Sequence, residues 1–362
     1  MEAGHAGSDS VVNSKGRRMK CGRLVRSKAW GILLASLIAV FGMVPKQLPA
    51  AGFQLPNMDA ENLPTASLFD VPSDVRLGPL LGFEFGGISL QRSADDPFPM
   101  VYDDGLTQVL ATSDFLDPEM ESGFRYSIQL FNLCEHVVPG LDTELTYYEV
   151  GGEVAYEILD ASTLPTTNIV PVFFKTIPAT PEPSEEFSLR SNLDSVEWNL
   201  GYRPIAGLKL IGGVRWLGVK EHFNHLGGIS GDGFFSQSDN EYTGGQIGLE
   251  GTIWTNGVFR FFGCGKYAFL NNDVRGFSTM RNTSITFDDD VDSNLVDLEF
   301  GVSGAIGRYW TIQVAYQGLI LDDVAAILPQ SNTLDAFGTN DQTPVYSDVS
   351  WHGLHYGITF TY

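Results

Sequence analysis

From Leu80 to the C-terminus the chain repeats one pattern, in which apolar and polar residues alternate with period two over short runs. In "VFRFFGCGKYAFL" (258–270), Phe259, Phe261, Tyr267 and Phe269 fall on one face, and Arg260 and Lys266 on the other. Side chains alternate faces along a strand, so the run predicts a β-strand with one greasy and one charged face. The same alternation recurs around Phe83 and Phe85 and in "GFRYSIQLF", "EVGGEVAYEILD", "SVEWNLGYRP" and "LKLIGGVRWLG". It returns in "GQIGLEGTIW", "LVDLEFGVSGAI", "WTIQVAYQGLI" and the closing "HGLHYGITFTY". Each run is about as long as the roughly 9–11 residues of a tilted membrane strand.

The joints between runs differ in length. Those at 203–207, 256–257 and 307–309 are tight and carry glycine, whereas 91–121, 160–186, 224–241, 271–293 and 322–351 are long and polar. Tight turns on one side and long connections on the other suit a barrel. In hydrocarbon an open sheet edge would strand backbone donors and acceptors, so closure is required. The expectation is an all-β fold, a closed antiparallel transmembrane β-barrel of about ten strands, within a range of about eight to twelve. Within "DDVAAILPQSNTL" (322–334) a helical turn before Pro329 is expected to cap or plug one end.

In this arrangement the charged faces line the lumen. The candidate lumen residues are Glu84, Arg125, Glu149, Glu153, Glu157, Glu197, Lys209, Arg215, Glu250, Arg260, Lys266, Asp297 and Glu299. Trp198, Tyr202, Trp216, Trp254, Trp310 and Tyr362 are the candidate aromatic girdle at the membrane interfaces. Alternation is symmetric, so a secreted β-sandwich with the greasy face inward is the competing fold. The mixture of both charge signs on the polar face and the aromatic ends of the apolar face favour the barrel.

The first fifty residues carry a different signal. Arg17, Arg18, Lys20, Arg23, Arg26 and Lys28 precede an apolar stretch from Trp30 to Val44, and small residues follow at Ala50, Ala51 and Gly52. A positive start, apolar centre and small-residue end describe a secretory signal peptide cleaved near Ala50 or Ala51. Met19 gives it a more ordinary length than Met1. The chain thus divides into residues 1–51, an N-terminal extension and signal peptide; 52–79, a polar, proline-bearing linker; and 80–362, the barrel.

Cleavage shifts the charge further. Residues 1–51 hold eight of the 22 basic and two of the 44 acidic residues, leaving 14 against 42, a net of −28. Such a chain is a poor partner for nucleic acid, whose phosphates need cationic surface. The acids gather at Asp95-Asp96, Asp103-Asp104, 288–292 and Asp322-Asp323, expected as loops where divalent cations could bind, although no turn-glycine calcium spacing is present. Cys134 and Cys264 remain after cleavage and could form one bridge; nothing in the sequence shows that they approach.

Beyond the alternation, an ordered series of strings is similar to a known family. "SNLDSVEWNLGYRP", "LKLIGGVRWLGVKEHF", "YTGGQIGLEGTIW", "GKYAFLNND" and "AYQGLILDDVAAILPQ" resemble, in this order, stretches of the β-barrel porin-7 family of predicted outer-membrane barrels from planctomycete-type bacteria. "NIVPVFFKTIP" and "WHGLHYGITFTY" also look like segments of that family. The resemblance spans roughly 80–362 and implies a barrel in the outer membrane; it implies no substrate. The first run, "LLGFEFGG", lacks the tryptophans of the family's opening strand.

A porin-like barrel passing small solutes or ions through a charged lumen is the leading functional expectation, with a closed structural barrel displaying acidic loops as its alternative. The expected partners are outer-membrane lipid and the barrel-assembly machinery, the latter engaging the strand that ends at Tyr362. No cofactor is expected and the chain does not read as an enzyme. Ser350 with His352 and His355, or Glu221 with His222 and His225, are the candidate catalytic sets for a barrel-embedded lipid hydrolase, and Ser350 has no identifiable orienting acid. The two histidines of "HFNH" lack a second pair of metal ligands.

Overall fold

The structure is a computed structural model. It describes residues 80–362 except 95–98, 104–107, 113–115, 117–119, 134–136, 161, 163–168, 172–183, 206, 228–232, 281–282, 308 and 328–343. The signal peptide, the linker and Cys134 lie outside the described residues.

Ten strands form a closed antiparallel barrel: β1 (Leu80–Ala94), β4 (Glu121–Phe131), β5 (Leu141–Asp160), β7 (Ser184–Ile205), β8 (Leu208–Gly227), β9 (Gly233–Thr255), β10 (Phe259–Met280), β11 (Thr283–Ile306), β12 (Trp310–Val324) and β13 (Ser347–Thr361). Each strand pairs with its neighbours in chain order, and β1 pairs with β13 to close the ring, Gly82 opposite Thr361. The seam is sealed to its end by reciprocal backbone bonds between Leu81 and Tyr362, 3.0 and 2.9 Å long. Three short strands, β2 (Pro99–Asp103), β3 (Val109–Thr112) and β6 (Ile169–Pro171), make a separate small sheet in the connections β1–β4 and β5–β7.

The tight turns fall at the end of the barrel that also holds Leu80 and Tyr362. At the β9–β10 turn the Asn256 side chain accepts the N–H groups of Val258 and Phe259 at 3.1 and 2.8 Å, and Gly257 supplies a φ of 87°. Several connections at the opposite end are shorter than the sequence suggests. The polar stretches 224–241 and 271–293 are mostly strand, so β8 to β11 run 20 to 24 residues, about twice what a membrane crossing needs. Their alternation is polar against polar, as in Ser236, Ser238 and Asn240 facing in beside Gln237 and Asp239 facing out, which leaves no hydrophobic period to read. The acidic run 288–292 accordingly lies on β11 rather than in a loop.

The wall has two zones. In the half nearest the tight turns the outer face is apolar and open: Phe85, Trp198, Ile247, Phe269, Phe300 and Tyr356 are each 49–61% exposed. On β10 this belt runs from Phe259 to Phe269, after which Asn271, Asp273 and Arg275 take the outer positions. An apolar ring of this extent, with charges behind it, is incompatible with water on the outside and fits the roughly 25 Å hydrocarbon band of a membrane barrel. The secreted sandwich is thereby excluded, because its greasy face would be buried. In the far half the polarity inverts. Phe187, Phe223, Phe234, Val274 and Phe287 point inward and are buried, while Asp288, Asp290 and Asp292 face out.

Candidate lumen site

The strand faces decide what lines the lumen. On β7, Ser195, Glu197 and Asn199 point inward at 0–4% exposure, against outward Trp198, Leu200 and Tyr202. Strict alternation in each strand then places Glu84, Arg125, Lys209, Arg215, Glu250, Arg260, Lys266, Asp297 and Glu299 on the inner wall of the membrane half.

One predicted lumen residue is placed otherwise. Glu149 faces outward, where it accepts a hydrogen bond from the Tyr147 hydroxyl at 2.8 Å, because its neighbours Tyr148 and Val150 occupy the interior at 0% and 1% exposure. The cause is a bulge between Gly151 and Val154, where Gly152 adopts a φ of 112° and one extra residue enters β5. The bulge reverses the parity, so Tyr156 and Ile158 face out above it while Val150 faces in below it. Glu157 shares the inward row opposite Phe187 but is exposed at the strand end. The side chain of Glu153, within the bulge, lies outside the described residues.

The inward charges pair across the lumen. Arg215, fully buried, donates to Asp297 at 2.9 Å, to the Tyr148 hydroxyl and to Ser195 at 3.2 Å, and sits 3.5 Å from Glu197. Lys266 bridges the same two acids, at 2.7 Å from Glu197 and 3.3 Å from Asp297. Since Glu197 is on β7 and Lys266 on β10, this quartet crosses the interior rather than running along the wall. Nearer the tight turns, Lys209 lies 3.4 Å from Glu144 and 3.7 Å from Glu250, which also accepts from Arg260 at 2.6 Å. Arg125 reaches Glu84 and Glu299 at 3.5 and 3.6 Å, and His355 meets Glu299 at 3.1 Å. Gln246, on the polar face of "GQIGLEGTIW", and Glu144 belong to this network, although strand parity in the sequence does not single out Glu144. Glu144 lies in "DTELTYY", where polar neighbours hide the alternation.

These side chains surround a chamber with an empty volume of ≈ 900 Å³, counted with the solvent at its mouth, whose rim includes Phe131, Arg203, Thr311 and Thr361. It opens toward the tight turns and ends blindly. Above the Arg215 quartet, nine of the ten strands contribute to a buried apolar layer, from Ile88 and Leu90 on β1 through Val150, Leu193, Leu217, Tyr242, Leu270, Leu295 and Leu319 to Trp351 on β13. The segment that follows β12 joins this layer. Val324, the last residue of β12, and Ala325 to Ile327 after it are 0% exposed; Ala325 and Ala326 are irregular and Ile327 is helical, and residues 328–334 of the segment expected as a plug lie outside the described residues.

Among the girdle residues, Tyr202, Trp254, Trp310 and Tyr362 lie outward near the tight turns at 43–71% exposure. Trp216 is the last apolar outward residue of β8 before Lys220. Trp198 departs from an interface position and lies within the belt, where Thr143 on the neighbouring strand accepts its indole N–H at 3.0 Å and removes the need for water.

The alternative chemistries are not assembled. Ser350 bonds Ser93 at 2.8 Å on the outer face, which His352 shares with its ring 6.3 Å from that of Tyr316, while His355 points inward to Glu299. Glu221 is buried against Arg92 at 2.6 Å, His225 pairs inward with Glu185 at 2.6 Å, and His222 faces outward, its imidazole held below the usual range by burial. No group of three metal-ligating side chains occurs among the described residues. Along 288–292 the outward aspartates alternate with the inward Asp289, which accepts from Tyr346 at 2.8 Å. Cys264 lines the chamber as a free thiol.

No protein-family model matches the sequence. No curated protein matches it. The chain is similar in structure to the outer membrane protease OmpT from Escherichia coli, at 10% identity and TM-score 0.46 over 80% of this chain and 100% of that one. It is also similar to a major outer membrane protein from Thermus thermophilus, at 8% identity and TM-score 0.33 over 79% and 100%. A third similar structure is the Pseudomonas putida toluene transporter TodX, at 10% identity and TM-score 0.30 over 82% and 91%. The barrel itself is read from this chain's own hydrogen-bonded ring and outer belt.

Proposed function

We propose that the protein is a porin-like outer-membrane barrel that passes small solutes or ions along its charged lumen, and that it belongs with the β-barrel porin-7 proteins its strings resemble. The observation that supports solute passage is the chamber: charges of both signs, from eight strands, face a space open at the tight-turn end. Buried charge is costly, and a barrel serving only as an anchor could fill its interior with apolar side chains. Outer-membrane lipid surrounds the apolar belt in this reading, and the seam strand ending at Tyr362 is the segment offered to the assembly machinery.

A second reading rests on the apolar layer above the chamber. If it never moves, the protein is a closed structural barrel that displays an acidic outer wall. Planar-bilayer recording of the mature chain, with folding checked by heat-shifted gel mobility, separates the two. Passage predicts discrete conductance steps whose ion selectivity changes in Lys266→Glu; a folded barrel with no steps under any condition sinks it.

A further inference from the structure

In the far half of the barrel, four inward polar side chains find backbone partners on one short stretch of chain. Asn240 accepts the N–H of Ala325 at 2.9 Å and donates to its carbonyl at 3.4 Å. Asn272 donates to the carbonyl of Asp323 and to Asn240, both at 3.1 Å. Glu221 accepts the N–H of Ile327 at 2.9 Å, and Ser293 donates to the carbonyl of Asp322 at 2.5 Å. These four residues come from β8, β9, β10 and β11, so four consecutive strands of the ring converge on the stretch from Asp322 to Ile327.

The stretch itself is chemically plain. Val324, Ala325, Ala326 and Ile327 carry no polar side chain, and all are fully buried. Asp323, at φ 54°, lies in a register shift of β12 against β13 between Leu321 and Val324; Val324 still pairs with Ser347, and the chain leaves the wall after it, where the Ala326 N–H closes onto the Val324 carbonyl at 2.7 Å. Val324 and Ala326 then complete the apolar layer that separates the chamber from the far end. Buried backbone must find hydrogen-bond partners, and past Val324 the wall supplies them as side chains, Asn240 for Ala325 and Glu221 for Ile327, rather than as a strand ladder. Because water can replace the partner, such a bond is far weaker net than its gross strength, whereas the wall residues of the layer are fixed in the sheet. The strap is therefore the part of the closure able to leave.

We propose that the strap Ala325–Ile327 is the gate of the lumen: seated, it closes the path between the chamber and the far side of the membrane, and withdrawn, it opens that path to small solutes. The inference rests on the solute-passage reading above. It is tested by single-channel recording of the mature chain against two variants, each confirmed as folded by heat-shifted mobility. One is Asn240→Ala with Asn272→Ala; the other replaces the strap through Ala325→Ser, Ala326→Gly and Ile327→Ser, leaving the wall intact if the first does not fold. Both are expected to raise the open time at least tenfold over the parent chain. In a Cys134→Ser background, a membrane-impermeant thiol reagent added from the strap side should label Cys264 in the variants and spare it in the parent. A parent chain that conducts as freely as both variants overturns the gate and leaves solute passage standing. Folded barrels that stay silent and unlabelled even without the strap overturn the gate and solute passage together.

Discussion

The two halves of this barrel share the same strands but meet opposite solvents. On β10, Phe259, Phe261 and Phe269 face out near the tight turns while Arg260 and Lys266 face in; farther along, Asp273 and Arg275 face out while Leu270 and Val274 face in. The membrane half is inside-out, with hydrocarbon outside and ion pairs within. The far half resembles a soluble barrel, with rings packed inside and carboxylates outside, as in the Phe187–Phe223 and Phe223–Phe234 contacts at 6.4 and 5.9 Å. One ladder of hydrogen bonds serves both, so solvent alone sets which face is greasy.

That contrast is sharpened most by removing the centre of the membrane half. Arg215→Ala leaves Glu197 and Asp297 with a single cation between them and should cost about 3–5 kcal/mol, the usual effect of orphaning buried charge, read as a lower urea midpoint in lipid vesicles. In the far half, Phe187→Ala opens a cavity among aromatic rings and should cost a similar or slightly smaller amount, about 3 kcal/mol. Its signature differs, however: limited proteolysis should trim the far strands while heat-shifted mobility of the membrane half persists.

Next in size is a charge on the lipid face. Val314→Arg, placed in the apolar belt of β12, should destabilise by about 2–4 kcal/mol, whereas Asp292→Arg on the outer wall of the far half should change stability by less than about 1 kcal/mol. Equal costs at the two sites would break the assignment of the belt. The smallest effect is expected at Arg275→Ala, which loses a half-exposed pair with Asp273 and about 0–1 kcal/mol.

The membrane half is far more legible in the sequence than the far half. Where one face is aromatic and the other charged, as in 258–270, strand and faces are both visible. Where Ser236, Ser238 and Asn240 alternate with Gln237 and Asp239, there is no contrast to read, and a strand passes for a loop. Within the site, Arg215, Lys266, Glu197 and Asp297 are each visible from strand parity. Glu149 is not, since a single inserted residue at Gly151–Val154 reverses the parity and nothing in a glycine pair says whether the chain turns, bulges or runs on.

The strands of the membrane half, their tight turns and the two-faced character of each can be read from the chain alone, because these depend on residues near one another in it. Which charges meet is a property of the closed ring, since Arg215 and Asp297 stand 82 residues apart on non-adjacent strands and touch because the ring closes with one particular register. The course of Ala325 to Ile327 is set in the same way: three apolar residues after a strand can go anywhere until Asn240 and Glu221, from two different strands, present partners for the backbone there, while Asn272 and Ser293 hold the end of β12 at Asp323 and Asp322.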